Sequence, residues 1–380
     1  MKVVVIGPVA PFRGGISRHT GALARAIGER PGVALRTLSF SRLYPRRLYP
    51  GESDRDPDLS PDLALDPSFT LDALDPRSWR RVAVHLTEDP PDLVVMPAWT
   101  FFVAPCLGWI ARRLSQAGIA VAMIVHNAED HEAAWWTRRL GRYQLSAAAR
   151  MVTHNHALAD RIEARLPGMP VAVHPHPSYD DYPEPEGLLE RRADLELLCF
   201  GLVRRYKGLE IALRAVAACR RDVRLSVVGE VWEGRAETEA LIRELGLAER
   251  VELVPRYVSD AEASEHFARA DAVLAPYLAV SGSGVLALAQ HYGRPVVASD
   301  LPGFAEALEH ARTGWLFPPG DVQALAGLLD GPVTRTASAA MAPDIAAAAA
   351  ARSWDGLAAV LLETAPPERP PPRKSAGRAG

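Results

Sequence analysis

Between Phe200 and Gly208 the chain reads Phe-Gly-Leu-Val-Arg-Arg-Tyr-Lys-Gly, and a strand is expected from Leu195 to Val203. Arg204, Arg205 and Lys207 therefore stand where a strand ends and a helix begins. The positive end of a helix dipole is an unfavourable place for cations unless an anion joins them, and a phosphate or diphosphate would resolve the conflict. A solvated basic loop is the plainer reading. Against it, only Lys2, Lys207 and Lys374 are lysine among 43 basic residues, so an ordinary surface cation here would be expected to be arginine.

Three more segments could carry chemistry. The loop Gly7 to Ser17 lacks the G-x-G-x-x-G spacing of a dinucleotide fold, but puts Gly14-Gly15 at the entrance of a helix, where free N–H groups let an anion approach; a plain turn is the alternative. The small-residue loop Ser281-Gly-Ser283-Gly284-Val285 follows a strand, and its amides can cradle phosphate oxygens. It lacks the G-x-S-x-G of a hydrolase nucleophile elbow. Six of the eleven histidines fall between His126 and His176, in the clusters His126 to Glu132, His154-Asn-His156 and His174-Pro-His176. Such His-x-His pairs near carboxylates raise a zinc hydrolase as a reading, although no H-E-x-x-H spacing occurs and satisfied structural histidines are commoner. His126 closes the strand Ile119 to Val125, and ligands of open α/β sheets bind at the carboxyl ends of strands.

The elements that position these residues alternate. Strands are expected at Val3 to Ile6, Leu93 to Met96, Ile119 to Val125, Met151 to Thr153 and Val171 to Val173. Helical spacing appears at Ile16, Thr20, Leu23 and Ile27, and across Pro105 to Gln116. The Pro-rich stretch His174 to Glu186 breaks the rhythm, with four prolines in thirteen residues. Strands then resume at Leu195 to Val203, Val223 to Gly229, Val251 to Tyr257, Ala272 to Pro276 and Pro295 to Ser299, with a capping box at Ser259-Asp-Ala-Glu262. The expectation is α/β: two doubly wound halves facing across a cleft. The boundaries are 1–176, a linker at 177–193, a second domain at 194–345, a crossover helix at 346–364 and a disordered tail at 365–380, where five prolines and four basic residues share sixteen positions. Residues Leu43 to Pro76 read as a long surface loop.

Composition narrows the classes. At 380 residues, 48% hydrophobic and 23% charged, the chain can bury more than one core. A net charge of -3 disfavours nucleic acid as main partner. Cys106, Cys199 and Cys219 are too few and too scattered for a disulfide framework or a four-thiolate zinc site, which fits a reducing cytosol. The apolar run after Lys2 is too short for a signal-peptide core, and no uninterrupted apolar stretch of bilayer length follows.

Taken together the segments resemble retaining glycosyltransferase family 4, the "glycosyl transferases group 1" type of the GT-B fold. The similarity covers about residues 1–362. It rests on the P-x-x-G-G-I of Pro11 to Ile16, the H-N-x-x-x-H-E of His126 to Glu132, Pro175-His176-Pro177 and the R-x-Y-K-G of Arg204 to Gly208. Further matches are Ser283-Gly284-Val285, Pro295 to Asp300, Gly303-x-x-Glu306, Thr313-Gly314 and Pro319-Gly-Asp321.

That resemblance implies two Rossmann-like domains, acceptor-side first and nucleotide-sugar-binding second, with a C-terminal helix packed back on the first. It implies transfer of a hexose-type sugar from a nucleotide diphosphate sugar to a glycan, lipid-linked or small-molecule acceptor, with retention, without metal or other cofactor, a leaving-group phosphate oxygen taking the acceptor proton. Arg204 and Lys207 would hold the diphosphate, Gly14 and Gly15 close on it, and His126 touch the donor sugar. Ser283, Gly284 and Val285 would complete the pocket, the backbone near Tyr257 read the base, and Glu306 stand as the candidate for the ribose. Val280 and Leu288 occupy positions where most members carry a glutamate pair, which is similar to a subgroup with Y-K-G and S-G-V elements. The same departure supports the alternative of an inactive sugar-nucleotide-binding or scaffold protein. Trp136, Leu140 and Tyr143 form one helical stripe, explained by core packing. Trp135, Arg138, Arg139 and Arg142 form a neighbouring stripe, either a solvated face or a surface for anionic lipid head groups. Location is expected to be cytoplasmic, with peripheral contact at the inner membrane face as the further option.

Overall fold

A computed structural model describes residues 1–45, 53–56, 68–127, 135–187 and 189–363. The first half builds β1 (Lys2–Ile6), β2 (Ala34–Arg42), β3 (Ser68–Asp72), β4 (Leu93–Ala98), β5 (Ala120–Val125), β6 (Arg150–Thr153) and β7 (Val171–Val173). Between them run α1 (Gly15–Gly28), α2 (Pro76–Glu88), α3 (Ala104–Gln116), α4 (Trp135–Leu145) and α5 (His156–Arg165). The strands pair in parallel in the order β3-β2-β1-β4-β5-β6-β7. β1 after its exposed Lys2, β4 and β5 are unbroken apolar runs because helices cover both faces.

The second half contains β8 (Leu195–Phe200), β9 (Val223–Val228), β10 (Val251–Val254), β11 (Ala272–Ala275), β12 (Val296–Ser299) and β13 (Gly314–Phe317), parallel in the order β10-β9-β8-β11-β12-β13. Its helices are α6 (Leu209–Ala218), α7 (Arg235–Glu244), α8 (Asp260–Arg269), α9 (Gly284–His291), α10 (Pro302–Ala305), α11 (Val322–Asp330), α12 (Arg335–Ala340), α13 (Ala342–Ala350) and α14 (Trp354–Glu363). Strand order reverses between β1 and β4 and again between β8 and β11. Those two switch points are where an open parallel sheet leaves a crevice beyond its strand ends.

Apolar packing explains how the halves are joined. One cluster lies under β2 and α3, another under β9 and α11, and a third runs from Leu23 and Ile27 of α1 through Tyr179 to Phe267, Leu286 and Trp354. Helix α14 buries Trp354, Leu357, Ala358 and Leu361, the spacing of one helical face, and packs on α1. Arg30, just past the end of α1, donates to the Asp355 carbonyl at 2.6 Å, and Arg150 donates to the Leu361 carbonyl. The crossover helix thus returns to the first half. Residues Arg335–Glu363 are apolar and long enough on average to cross a bilayer. They run instead as three successive helices whose apolar side chains include the buried Ile345, Leu357 and Leu361.

Two sequence expectations change. Inside the segment expected to be loop, β3 pairs with β2, and Leu43 and Leu71 are buried; the Pro and Asp richness around them masks a short edge strand. On α4 the buried positions are Thr137, Gln144 and Leu145; of the first stripe, Leu140 and Tyr143 are half-buried with Tyr143 against Gly108 of α3, whereas Trp136 is 45% exposed and T-shaped to Phe101, so core packing does not explain that tryptophan. Glu129 to Glu132 and the tail 365–380 lie outside the described residues.

Candidate functional site

The β8/β11 switch point carries the basic loop. After β8 the chain turns through the 3₁₀ turn Arg205–Lys207 and enters α6 at Leu209. The pivot is Gly208, with φ +65; a Cβ there would stand 1.9 Å from the Pro276 carbonyl oxygen, so no other residue fits between the two loops. Tyr206 accepts from the Leu278 amide at 2.7 Å, tying the basic loop to the segment that leads to Ser283. Lys207 is turned inward: its Nζ donates to the Phe200 carbonyl at 3.5 Å and faces the Tyr277 ring at 5.6 Å. Among the described residues no carboxylate lies within ion-pair distance of it. Burial, with Arg204 adding repulsion, pushes Lys207 down to about 8. Arg204 is half-buried and stacks on Trp232 at 4.7 Å, whereas Arg205 is exposed.

The S-G-V loop adjoins that cation. A Cβ at Gly201 would lie 3.3 Å from Lys207 Nζ and 3.6 Å from Val285 Cγ2. Ser283 caps α9 by accepting from the Leu286 amide at 3.3 Å. The glycine loop of the first half meets it through a residue of the linker: Tyr179 donates to the Gly15 carbonyl at 3.3 Å, and its hydroxyl lies 3.4 Å from where a Gly284 Cβ would be. Gly14, at φ +97, is the N-cap of α1 with no side-chain cap, so the first-turn amides of α1 are left for another acceptor. The structure thus brings Gly15, Lys207, Gly284 and Val285 into one neighbourhood.

His126 sits at the carboxyl end of β5, its amide held by the Ala98 carbonyl at 2.9 Å. Around it gather histidines from three other places in the chain. His19 of α1 is edge-on at 4.5 Å between ring centroids, and His154, just beyond β6, lies 5.3 Å away. His176, at the end of the first half, is 4.8 Å from His154 and 5.2 Å from His19. Trp354 of α14 closes the side at 4.8 Å from His19. Burial is the main cause that lowers all four: His126 to about 3, His176 to about 4, His19 and His154 well below the ordinary histidine range. The rings are therefore neutral at pH 7. Nε2 of His19, His126 and His154 is buried without a hydrogen-bond partner, which costs about 1–3 kcal/mol for each such group.

Two expected site residues are engaged elsewhere. Both carboxylate oxygens of Glu306 accept from the start of α5 in the other half, from the His156 amide at 2.6 Å and the Ala157 amide at 3.0 Å. Beside it Asn155 caps the same helix through Leu158 and donates to the Ser281 carbonyl at 2.5 Å. Tyr257 donates to Asp56 at 2.5 Å, with the Arg13 guanidinium 4.0 Å over its ring. With Arg18, which meets Asp260 at 2.5 Å and Asp181 at 3.1 Å, these contacts latch the halves together. A cavity of about 270 Å³ remains between them, lined by His154, His176, Ser283, Gln290, Glu306 and Arg352.

Sequence reasoning passed over His19 and Tyr179. A histidine inside an amphipathic helix and a tyrosine in a Pro-rich linker carry no local signal, and only tertiary packing brings them to the cleft.

Residues 194–330 match the family model described as glycosyl transferases group 1. The chain is 30% identical over 241 residues to a D-inositol 3-phosphate glycosyltransferase of Pseudarthrobacter chlorophenolicus, covering 58% of this chain and 53% of that protein. It is 28% identical over 253 residues to a GDP-mannose:glycolipid 4-beta-D-mannosyltransferase of Xanthomonas campestris, covering 63% and 67%. The chain thus spans about half to two thirds of the length of these relatives. Among solved structures, HepE of Anabaena in complex with UDP-glucose superposes with a TM-score of 0.71 at 19% identity, over 95% of this chain and 99% of that one.

Proposed function

With residues 194–330 matching the glycosyl transferases group 1 and the whole chain built on the GT-B plan, we propose that it moves a hexose-type sugar from a nucleotide diphosphate sugar to an acceptor. The observation that carries this reading is Lys207. A half-buried ammonium with no carboxylate in ion-pair distance among the described residues is costly to keep, and a diphosphate arriving beside Arg204 would supply the missing charge. The two relatives named above are glycosyltransferases, and the superposed structure holds UDP-glucose.

In this mechanism Arg204, Lys207 and the amides of Ser283, Gly284 and Val285 hold the diphosphate, while the Gly14-Gly15 loop closes over it. Stabilisation of the departing diphosphate is what these groups contribute to the rate. His126, neutral and at the end of β5, would meet the donor sugar. Transfer proceeds with retention and without a required metal, a leaving-group phosphate oxygen taking the acceptor proton. In the latched arrangement Glu306 is occupied, so its contribution to the ribose follows an opening of that contact, whereas the latch on Tyr257 holds its side chain and not the backbone that would read the base. The exposed Trp135, Arg138, Arg139 and Arg142 face of α4 would meet a lipid-linked acceptor or anionic head groups at the inner face of a membrane.

The test is a panel of UDP, GDP, ADP and dTDP sugars. One donor should raise the melting temperature, since a ligand at 100 times its Kd stabilises by about 2.7 kcal/mol. The same donor should release its nucleoside diphosphate and give a product whose anomeric coupling in proton NMR matches that of the donor. Binding without turnover with any acceptor would favour the inactive sugar-nucleotide-binding reading. No stabilisation by any donor would contradict both.

A further inference from the structure

The mechanism uses one imidazole, yet the structure gathers four. His19, His126 and His154 each offer a ring nitrogen, and the three nitrogens lie within 4.8 Å of one another. Their Nε2 atoms are buried and lack partners. His154 has Nδ1 2.9 Å from the His174 carbonyl, so Nδ1 carries the proton and Nε2 keeps its lone pair. This is the outer-shell arrangement that orients metal-binding histidines, and His176 repeats it with Nδ1 2.7 Å from the Pro177 carbonyl.

We propose that His19, His126 and His154 form a three-imidazole site for a divalent transition metal, Zn²⁺ being the probe that suits it, with the fourth position open. Neutral imidazoles suit zinc, copper and nickel, and three protein ligands with an open position is a geometry zinc adopts. Zn–N bonds of about 2.0–2.1 Å would bring the nitrogens to within roughly 3.4 Å of one another, so the rings must close by rotation about their side-chain torsions. His154 lines the cavity between the halves, which gives the ion an entry path. Cysteine takes no part: the three cysteines lie elsewhere in the chain, two of them in its cores. An ion on His126 would exclude the donor sugar from that ring, so occupancy would inhibit the transfer proposed above. Only this consequence rests on that reading; the binding claim does not.

The experiment is equilibrium dialysis of the full chain, purified with chelator, against Zn²⁺ held at micromolar free concentration. Wild type should take up one equivalent. His154→Gln and His19→Gln should each weaken binding at least about tenfold to a hundredfold, whereas His156→Ala, an exposed neighbour outside the cluster, should bind as wild type does. X-ray absorption at the zinc edge of loaded wild type reads the ligand set without any variant, and should show a nitrogen shell with the imidazole scattering signature. Absence of stoichiometric uptake, sulfur in the zinc shell, or affinity unchanged in both glutamine variants would overturn the site. Nucleotide-sugar binding by chelator-treated protein reports separately on the transferase reading.

Discussion

Lys207 shows how a residue's rarity and its inward turn reinforce each other. In a chain that otherwise uses arginine, lysine at this turn keeps a slim ammonium where a planar guanidinium would have to fit between Phe200, Tyr277 and Gly201. Its lowered pKa of about 8 has a consequence for binding. Below pH 8 the free protein carries the charge that a diphosphate needs. Above it, the proton must be taken up on binding, so affinity should fall by up to about tenfold per pH unit. Calorimetric titration of the preferred nucleoside diphosphate from pH 7.5 to pH 9.5 should show that decline and a matching proton uptake in buffers of different ionisation enthalpy. Lys207→Arg should bind with little pH dependence over the same range. A flat profile in wild type would remove Lys207 from the diphosphate. This residue was legible from the scarcity of lysine and its place at a strand-to-helix turn; His19 and Tyr179 were not, because each owes its position to contacts with segments more than 100 residues away in sequence.

At the scale of elements, patterning located the strands that end at the site, since buried parallel strands are short apolar runs bounded by glycine and proline. It missed β2, a nine-residue strand whose apolar residues alternate with polar ones, and two elements whose signal is diluted. β3 hides among prolines and aspartates, and β13 is four residues long. The capping box at Ser259 formed only in half: Ser259 accepts from the Glu262 amide, but the Glu262 carboxylate pairs with Arg256 at 2.6 Å. Capping across the cleft was invisible to local reading altogether. Glu306 satisfies the amides at the start of α5 from the other half of the molecule, a favourable place for a carboxylate. Glu306→Ala should therefore lower stability by about 0.5–2 kcal/mol, the range for losing a helix cap, measured as a reduced denaturation midpoint by circular dichroism. An unchanged midpoint would mean that Asn155 alone caps α5.

For the whole molecule, the alternation of strand and helix implied two doubly wound halves, and the sheets confirm it with a switch point in each. The latch between them was not readable, because it is made by pairs such as Arg18 with Asp260 whose partners share no pattern. Its consequence is that the described arrangement is closed, with the basic loop, the S-G-V loop and the glycine pair already adjacent. The central claim is that Arg204 and Lys207 clamp a diphosphate while their neighbour does not. Its most direct measurement is kcat/KM with the donor found by the panel, for Lys207→Ala, Arg204→Ala and Arg205→Ala side by side. Losing a preorganised group that faces developing negative charge typically costs about 2.7–4 kcal/mol, or on the order of 10²–10³ in rate. Lys207→Ala and Arg204→Ala should each show that loss, and Arg205→Ala, at an exposed position, less than about tenfold. Equally small effects at all three positions, or a dominant loss at Arg205, would contradict it.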